Sequence, residues 1–374
     1  MTDPHTDTAT HTDAGTHPAP GVDGELIARR FPLVARPHPP RPPLPIRIAE
    51  VADLARTTGH THDTARTAAA HNKAALIASD CGHPELARAL CWRHHDLYPR
   101  TQPWTAQHAR YALEPLVNLA RLHHRDGDPD AALTVLNSLY DAVRLETETD
   151  IDGHRLDFRN LTASATDHQR LCRWLWTVLL ADGLRALTHA GRWAQALAHA
   201  QHHNGIGRRL LDGRQTAILA GLFDGNPSGA TTLLDTSELG EPWEHAIAAC
   251  LHVLATRREP QPHRGCVSNM VDHYHTLRPT PQTLVFNIRL GLTIVDLAGG
   301  ATQPEGARAT THVIQRATAD IDGHTAREVL AHNIQTHLPT SAQERLLTAT
   351  HETALDTTTL LAALQGHLVY TVPS

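Results

Sequence analysis

From about residue 46 onward the apolar positions of this 374-residue chain recur every three or four residues, the period of helices that each turn one face inward. The runs lie close together and are separated by short polar breaks. Past Pro242 the pattern continues less regularly through "EPWEHAIAACLHVLATR", "QTLVFNIRLGLTIVDLAG", "ARATTHVIQRATAD", "TAREVLAHNIQTHL" and "SAQERLLTATHETAL". Thr325 with Glu328, and Ser341 with Glu344, have capping-box spacing at two of these starts. Residues 1–45 lack the period. They open "MTDPHTDTATHTDAGTHPAP" and carry prolines at 37, 39, 40, 42, 43 and 45, which predicts a disordered, proline-rich tail with an extended polyproline stretch.

The breaks between helical runs share a signature. In "SDCGHPELARAL", Gly82 suits the left-handed residue that ends a helix, and Pro84 suits the first turn of the next. The same arrangement recurs at Gly127 in "RDGDPDAAL", Gly191 in "HAGRWAQAL" and Gly225 in "FDGNPSGAT". Five residues after each glycine stands an alanine (Ala87, Ala132, Ala196, Ala230), small enough for two antiparallel helices to approach closely. Pro84, Pro129 and Pro227 follow their glycines by two, with Trp193 at the remaining place, and Asp128 and Asn226 precede their prolines as N-caps.

Four residues beyond the alanines stand Cys91, Leu136, Ala200 and Leu234, all apolar, and Pro99 and Pro242 close two units where Arg144 and Arg208 close the others. With its alanine, core residue and terminal proline in this order, the chain resembles the tetratricopeptide repeat family. The small residue expected seven before each glycine is kept at Ala75 and Ala120 but replaced at Leu184 and Ile218. Gly191 and Gly225 are one 34-residue repeat apart (225 − 191), whereas 127 − 82 = 45 and 191 − 127 = 64 carry extra residues. The longer surplus matches the polar, turn-rich stretch from Glu146 to Asp167, expected to project from one face. "AHNKAALIASDCG", "WLWTVLLADGLRALTHAGRW" and "HNGIGRRLLDGRQ" are also similar to uncharacterised actinobacterial helical-repeat proteins.

The resemblance implies an all-α, right-handed solenoid of hairpins. The expected divisions are a tail over 1–45, repeats over 46–260 with the insertion 146–167, and a helical C-terminal region over 261–374. Composition agrees: hydrophobic residues are 41% and aromatics only 4%, so the core is built from alanine, leucine and valine. The net charge of −6 gives no basic field for nucleic acid or an anionic membrane. Five cysteines without a C-x-x-C pair, and no run of about eighteen apolar residues, make a reduced, cytoplasmic protein the simplest expectation.

Chemical motifs are sparse. His199 and His203, at i and i+4, could share a face and bind zinc, but no H-E-x-x-H or local carboxylate completes a set. Gly205 and Gly207 in "NGIGRRLLDG" lack the third glycine and the preceding strand of a dinucleotide site, although Arg208, Arg209 and Arg214 could receive an anion. "DIDGH", at Asp150–His154 and again at Asp320–His324, lacks the later oxygen ligands of a calcium loop and reads as an acidic turn. No nucleophile elbow or phosphate-binding glycine loop occurs. The reading is therefore of a non-enzymatic protein without cofactor or metal.

In repeats of this type the first helices line the concave face. Positions two, three, six and ten before each glycine then point inward. The second hairpin places Glu114, Val117, Arg121, His124 and Arg125 there; the third places Val178, Ala181, Arg185 and His189. Asn72 and Asn118 add amides that can grip a peptide backbone. The expected binding groove is Asn72, Asn118, Arg121, His124, Arg125, Arg185 and His189, and its partner a peptide or protein segment, an acidic one if the arginines are unpaired. Surface arginines that pair with neighbouring carboxylates are the competing reading. The expected function is a scaffold or regulatory adaptor, with self-association left open. The alternatives are a peptide-responsive transcriptional regulator, against which residues 1–60 show no recognition-helix pair, and an accessory protein or enzyme of a biosynthetic pathway with a histidine-lined pocket between the repeats and the C-terminal helices.

Overall fold

A computed structural model describes residues 27–38, 42–61, 64–98, 103–256, 264–319 and 321–351. Among these the chain is mostly helical. Its α-helices are α1 (Leu44–Thr61), α2 (Thr64–Asp80), α3 (Pro84–Asp96), α4 (Ala106–Arg125), α5 (Pro129–Leu145), α6 (Ala165–His189), α7 (Trp193–His202), α8 (Asp212–Phe223), α9 (Pro227–Asp235), α10 (Pro242–Thr256), α11 (Arg264–Thr276), α12 (Leu284–Leu297), α13 (Pro304–Ala319), α14 (Gly323–Leu330) and α15 (Thr340–His351). No helix among the described residues is long and apolar enough to cross a membrane.

The glycine breaks become turns of one shape. Gly82, Gly127, Gly191 and Gly225 all have φ between +72° and +80°, the left-handed region where a side chain would be strained. After each glycine the next backbone N–H reaches the carbonyl five residues back: His83 to Ala78, Asp128 to His123, Arg192 to Leu187 and Asn226 to Gly221. Asp128 and Asn226 cap the following helices by accepting from the N–H of Ala131 and Gly229. The four alanines, Ala87, Ala132, Ala196 and Ala230, are buried where the paired helices touch. A fifth turn of the same kind stands at Gly299 (φ +88°), where Gly300 N–H reaches the Val295 carbonyl and links α12 to α13.

Consecutive helices pack in pairs. The helices that open the pairs also pack on one another, α2 on α4, α4 on α6, α6 on α8, α8 on α10, α10 on α12 and α12 on α14, in one continuous row. Two apolar cores lie along it. The first runs from Leu44 to Leu179; the second from Trp193 to Leu346. The 25-residue α6 joins them, giving Leu171, Leu175 and Leu179 to the first, while Leu184 and Leu187 pack on α7.

One sequence expectation is sharpened and another corrected. Within the turn-rich insertion, Glu148–Ile151 and His154–Asp157 form an antiparallel hairpin (β1 and β2) around Asp152 and Gly153, both with positive φ. It is docked, since His154 stacks on Trp92 of α3 at 3.7 Å between ring centroids and Asp152 pairs with His123 of α4. The tail does not extend to residue 45. Ile27, Ala28, Phe31 and Leu33 are buried in the second core, although the first core follows them in sequence. Residues 27–38 thus form a strap that reaches past α1–α5 to the far part of the chain. The rest of the expected disordered tail, 1–26 and 39–41, lies outside the described residues.

Candidate functional site

The row of opening helices presents the positions that the repeat pattern turns inward. Asn72, Val117, Ala181 and Gln215 each stand ten residues before their glycine, and Ser79, His124, Thr188 and Leu222 three before. At the α2–α4–α6 end these side chains surround a cleft of about 150 Å³ lined by Asn72, Arg110, Glu114, Val117, Asn118, Arg121, Trp174 and Val178. Asn118 Nδ2 donates to Asn72 Oδ1 at 2.6 Å, and Arg121 Nη1 donates to Asn118 Oδ1 at 3.1 Å. The amides are therefore held in a chain across two helices. The Arg110 guanidinium sits 5.2 Å from the centre of the Trp174 ring, whose cation–π attraction holds the aromatic wall in place.

The arginines of the groove are paired. Arg121 Nε donates to Asp182 at 2.8 Å, Arg185 lies 3.8 Å from the same carboxylate, and Arg125 bonds Ser79 Oγ and lies 3.6 Å from buried Asp80. Asp182 of α6 thus offsets Arg121 and Arg185, while Asp80 of α2, already paired with Arg47 at 2.7 Å, is shared with Arg125, and the locally basic groove expected from the arginines alone becomes a mixed surface. Burial lowers the Arg185 pKa from its ordinary value, with Asp182 acting against it, and burial with the nearby Arg185 lowers the His124 imidazole pKa. His124 and His189 stand ring to ring, 5.0 Å apart. His189 points away from the cleft, into the wall of a second cavity farther along the row. Of the seven expected groove residues, Asn72, Asn118 and Arg121 line the cleft and His189 lines the second cavity, while His124, Arg125 and Arg185 line neither.

Between these hollows the strap crosses the row. Thr188 Oγ1 donates to the Phe31 carbonyl at 2.8 Å. The Gln215 side chain accepts from Leu33 N–H and donates to the Leu33 carbonyl, both at 2.8 Å, so one amide satisfies both backbone groups of the same residue. Arg36 forms a two-pronged pair with Asp212 at the start of α8, its Nη1 to Oδ1 distance being 2.9 Å, and Arg30 reaches Asp296 on α12 at 2.7 Å. Thr188 and Gln215 stand three and ten residues before Gly191 and Gly225, but neither is among the groove residues expected from the sequence. Their partner lay 157 and 182 residues away in a segment whose prolines pointed to disorder.

The other motifs have structural uses. His199 Nε2 faces the Leu179 carbonyl at 3.2 Å, which makes it a donor. No group of three or more metal-ligating side chains occurs among the described residues. Arg208 pairs with Glu238 and Arg209 with Glu244, while buried Arg214 donates to the Gly207 and Leu233 carbonyls. The first DIDGH is the turn of the β-hairpin. In the second, Asp322 caps α14 by accepting from the N–H groups of His324 and Thr325, so the capping box expected at Thr325 does not form. Compared with known proteins, the chain matches no family model, no curated protein and no solved structure.

Proposed function

We propose that this protein is a non-catalytic scaffold or regulatory adaptor that binds an extended peptide or protein segment along the row of opening helices. The row is taken as the concave face of a right-handed solenoid resembling tetratricopeptide repeats, because each opening helix packs on the next and five of the pairs close on a glycine turn of one shape.

One observation carries the reading. The row already holds an irregular stretch of its own chain, gripping the backbone through Gln215 and Thr188 and an arginine through Asp212. The cleft at Asn72, Asn118, Arg121, Trp174 and Val178 offers the same kinds of group at equivalent positions: side-chain amides, a paired charge and apolar walls. A partner segment would give its main chain to the amides and an apolar side chain to Val117, Val178 and Trp174. Because Asp182 and Glu114 balance the arginines, backbone and apolar contacts select this partner more than an acidic charge does.

Selection from a random peptide library displayed on phage tests the proposal, comparing wild type with Asn72→Ala and Trp174→Ala variants whose folding is checked by circular dichroism. Wild type is expected to enrich a motif with an apolar anchor that both variants lose. Absence of enrichment, or the same motif from all three proteins, would overturn it.

A further inference from the structure

Where the strap meets the last helices of the row, the fold encloses a second cavity of about 340 Å³. Four stretches distant in sequence build it: Arg29 and Arg30 of the strap, His189 of α6, Arg289 and Asp296 of α12, and Glu328 with residues 331–333 at and beyond the end of α14. Arg289 and Asp296 stand ten and three residues before Gly299, so this cavity lies on the same inward positions as the cleft. Its volume is at the lower end of the range for small-molecule sites.

The charges in its wall are partly neutralised and firmly held. Arg30 donates to Asp296 at 2.7 Å, and Arg289 donates to Glu328 at 2.7 and 2.9 Å. His332 Nδ1 accepts from Ile334 N–H, which leaves its proton on Nε2 to be donated to Asp296 at 3.0 Å. Two carboxylates are thereby committed to two arginines and a neutral imidazole. Arg29 is the exception, exposed at the rim with no ion-pair partner among the described residues. The His189 imidazole has no hydrogen-bond partner among them either. Burial, then His124, Arg185 and Arg289, lower its pKa, and in the cavity wall the guanidiniums of Arg29, Arg30 and Arg289 outnumber the carboxylates of Asp296 and Glu328.

We infer that this cavity is a binding site for a small organic carboxylate, with Arg29 as the principal anion-binding group and His189 as a neutral hydrogen-bonding partner. The class follows from charge. Three guanidiniums against two carboxylates leave one positive charge, which a monoanion balances and a phosphate dianion exceeds. The planar guanidinium fork also matches a carboxylate with two parallel hydrogen bonds. The site is distinct from the peptide cleft, and it can exist whether or not that cleft binds a partner.

Isothermal titration of the full chain with lactate, benzoate, glutarate, L-glutamate and inorganic phosphate tests this, together with an NMR pH titration of the His189 ring assigned through His189→Gln. At least one carboxylate is expected to bind with a Kd below about 1 mM, at least about tenfold more tightly than to Arg29→Gln. The bound anion should raise the His189 pKa, which an effect on folding alone would not do. Arg29→Gln is expected to fold normally because Arg29 is exposed and unpaired. The inference is overturned if no carboxylate binds below about 10 mM, if phosphate binds more tightly than every carboxylate, or if Arg29→Gln leaves the affinity unchanged.

Discussion

At Gln215 one side chain does the work of a neighbouring strand. Replacing it by leucine keeps the volume but leaves the buried N–H and carbonyl of Leu33 without partners, at about 1–3 kcal/mol for each lost group. Chemical denaturation of Gln215→Leu is therefore expected to show a loss of about 2–6 kcal/mol. A second residue-scale effect is acid sensitivity. His71 and His94 are stacked and buried, and burial lowers both pKa values, that of His94 to about 3. The unfolded chain takes up these protons below about pH 6.5 while the folded chain does not, so stability is full above that pH and falls as the pH drops toward 3. Denaturation midpoints between pH 7 and 4 should decline, and less steeply in His94→Phe; parallel profiles would contradict the assignment. The glycine turns and buried alanines were legible in the sequence because each depends on local geometry. The pairing of Arg121 and Arg185 with Asp182, and of Arg125 with Asp80, was less so, since it depends on which helices meet.

The helical hairpins are the level best read from sequence, and the reason is mechanical. A left-handed glycine and a following cap are local requirements, and they recur where the chain must reverse. Gly127 meets nothing within 4 Å of an added Cβ, so Gly127→Ala isolates the backbone term, and its denaturation should show a loss of about 1–2 kcal/mol. Gly183 reverses the logic. It lies within α6 at an ordinary φ, but an added Cβ would come within 2.7 Å of His199 Nε2, so its cost is a clash between α6 and α7. The β-hairpin was missed because its strands have only four residues each, too few for alternation to stand out, and because its anchors, Trp92 and His123, belong to other elements. At α14 the cap fell to Asp322 in place of Thr325, a shift of three residues that spacing alone could not decide.

For the whole molecule, the strap ties the beginning of the chain to its second core. Composition hid this, because four apolar residues are scattered among prolines and arginines and their partners lie far along the chain. Burying the side chain of Phe31 alone contributes about 1.5–3 kcal/mol by transfer from water. Phe31→Ala, which adds a cavity term, is expected to cost about 3–5 kcal/mol. Hydrogen exchange should then rise in α8–α13, which share that core, and stay unchanged in α2–α5, which belong to the other. Uniform acceleration would mean that the two cores unfold as one. The central claim, that the row of opening helices receives an extended peptide, is tested most directly by hydrogen exchange of the full chain with and without a library-selected peptide. The account predicts added protection in α2, α4 and the first half of α6, around Asn72, Asn118 and Trp174. Protection confined to the second helices of the pairs, or to the β-hairpin, would contradict it.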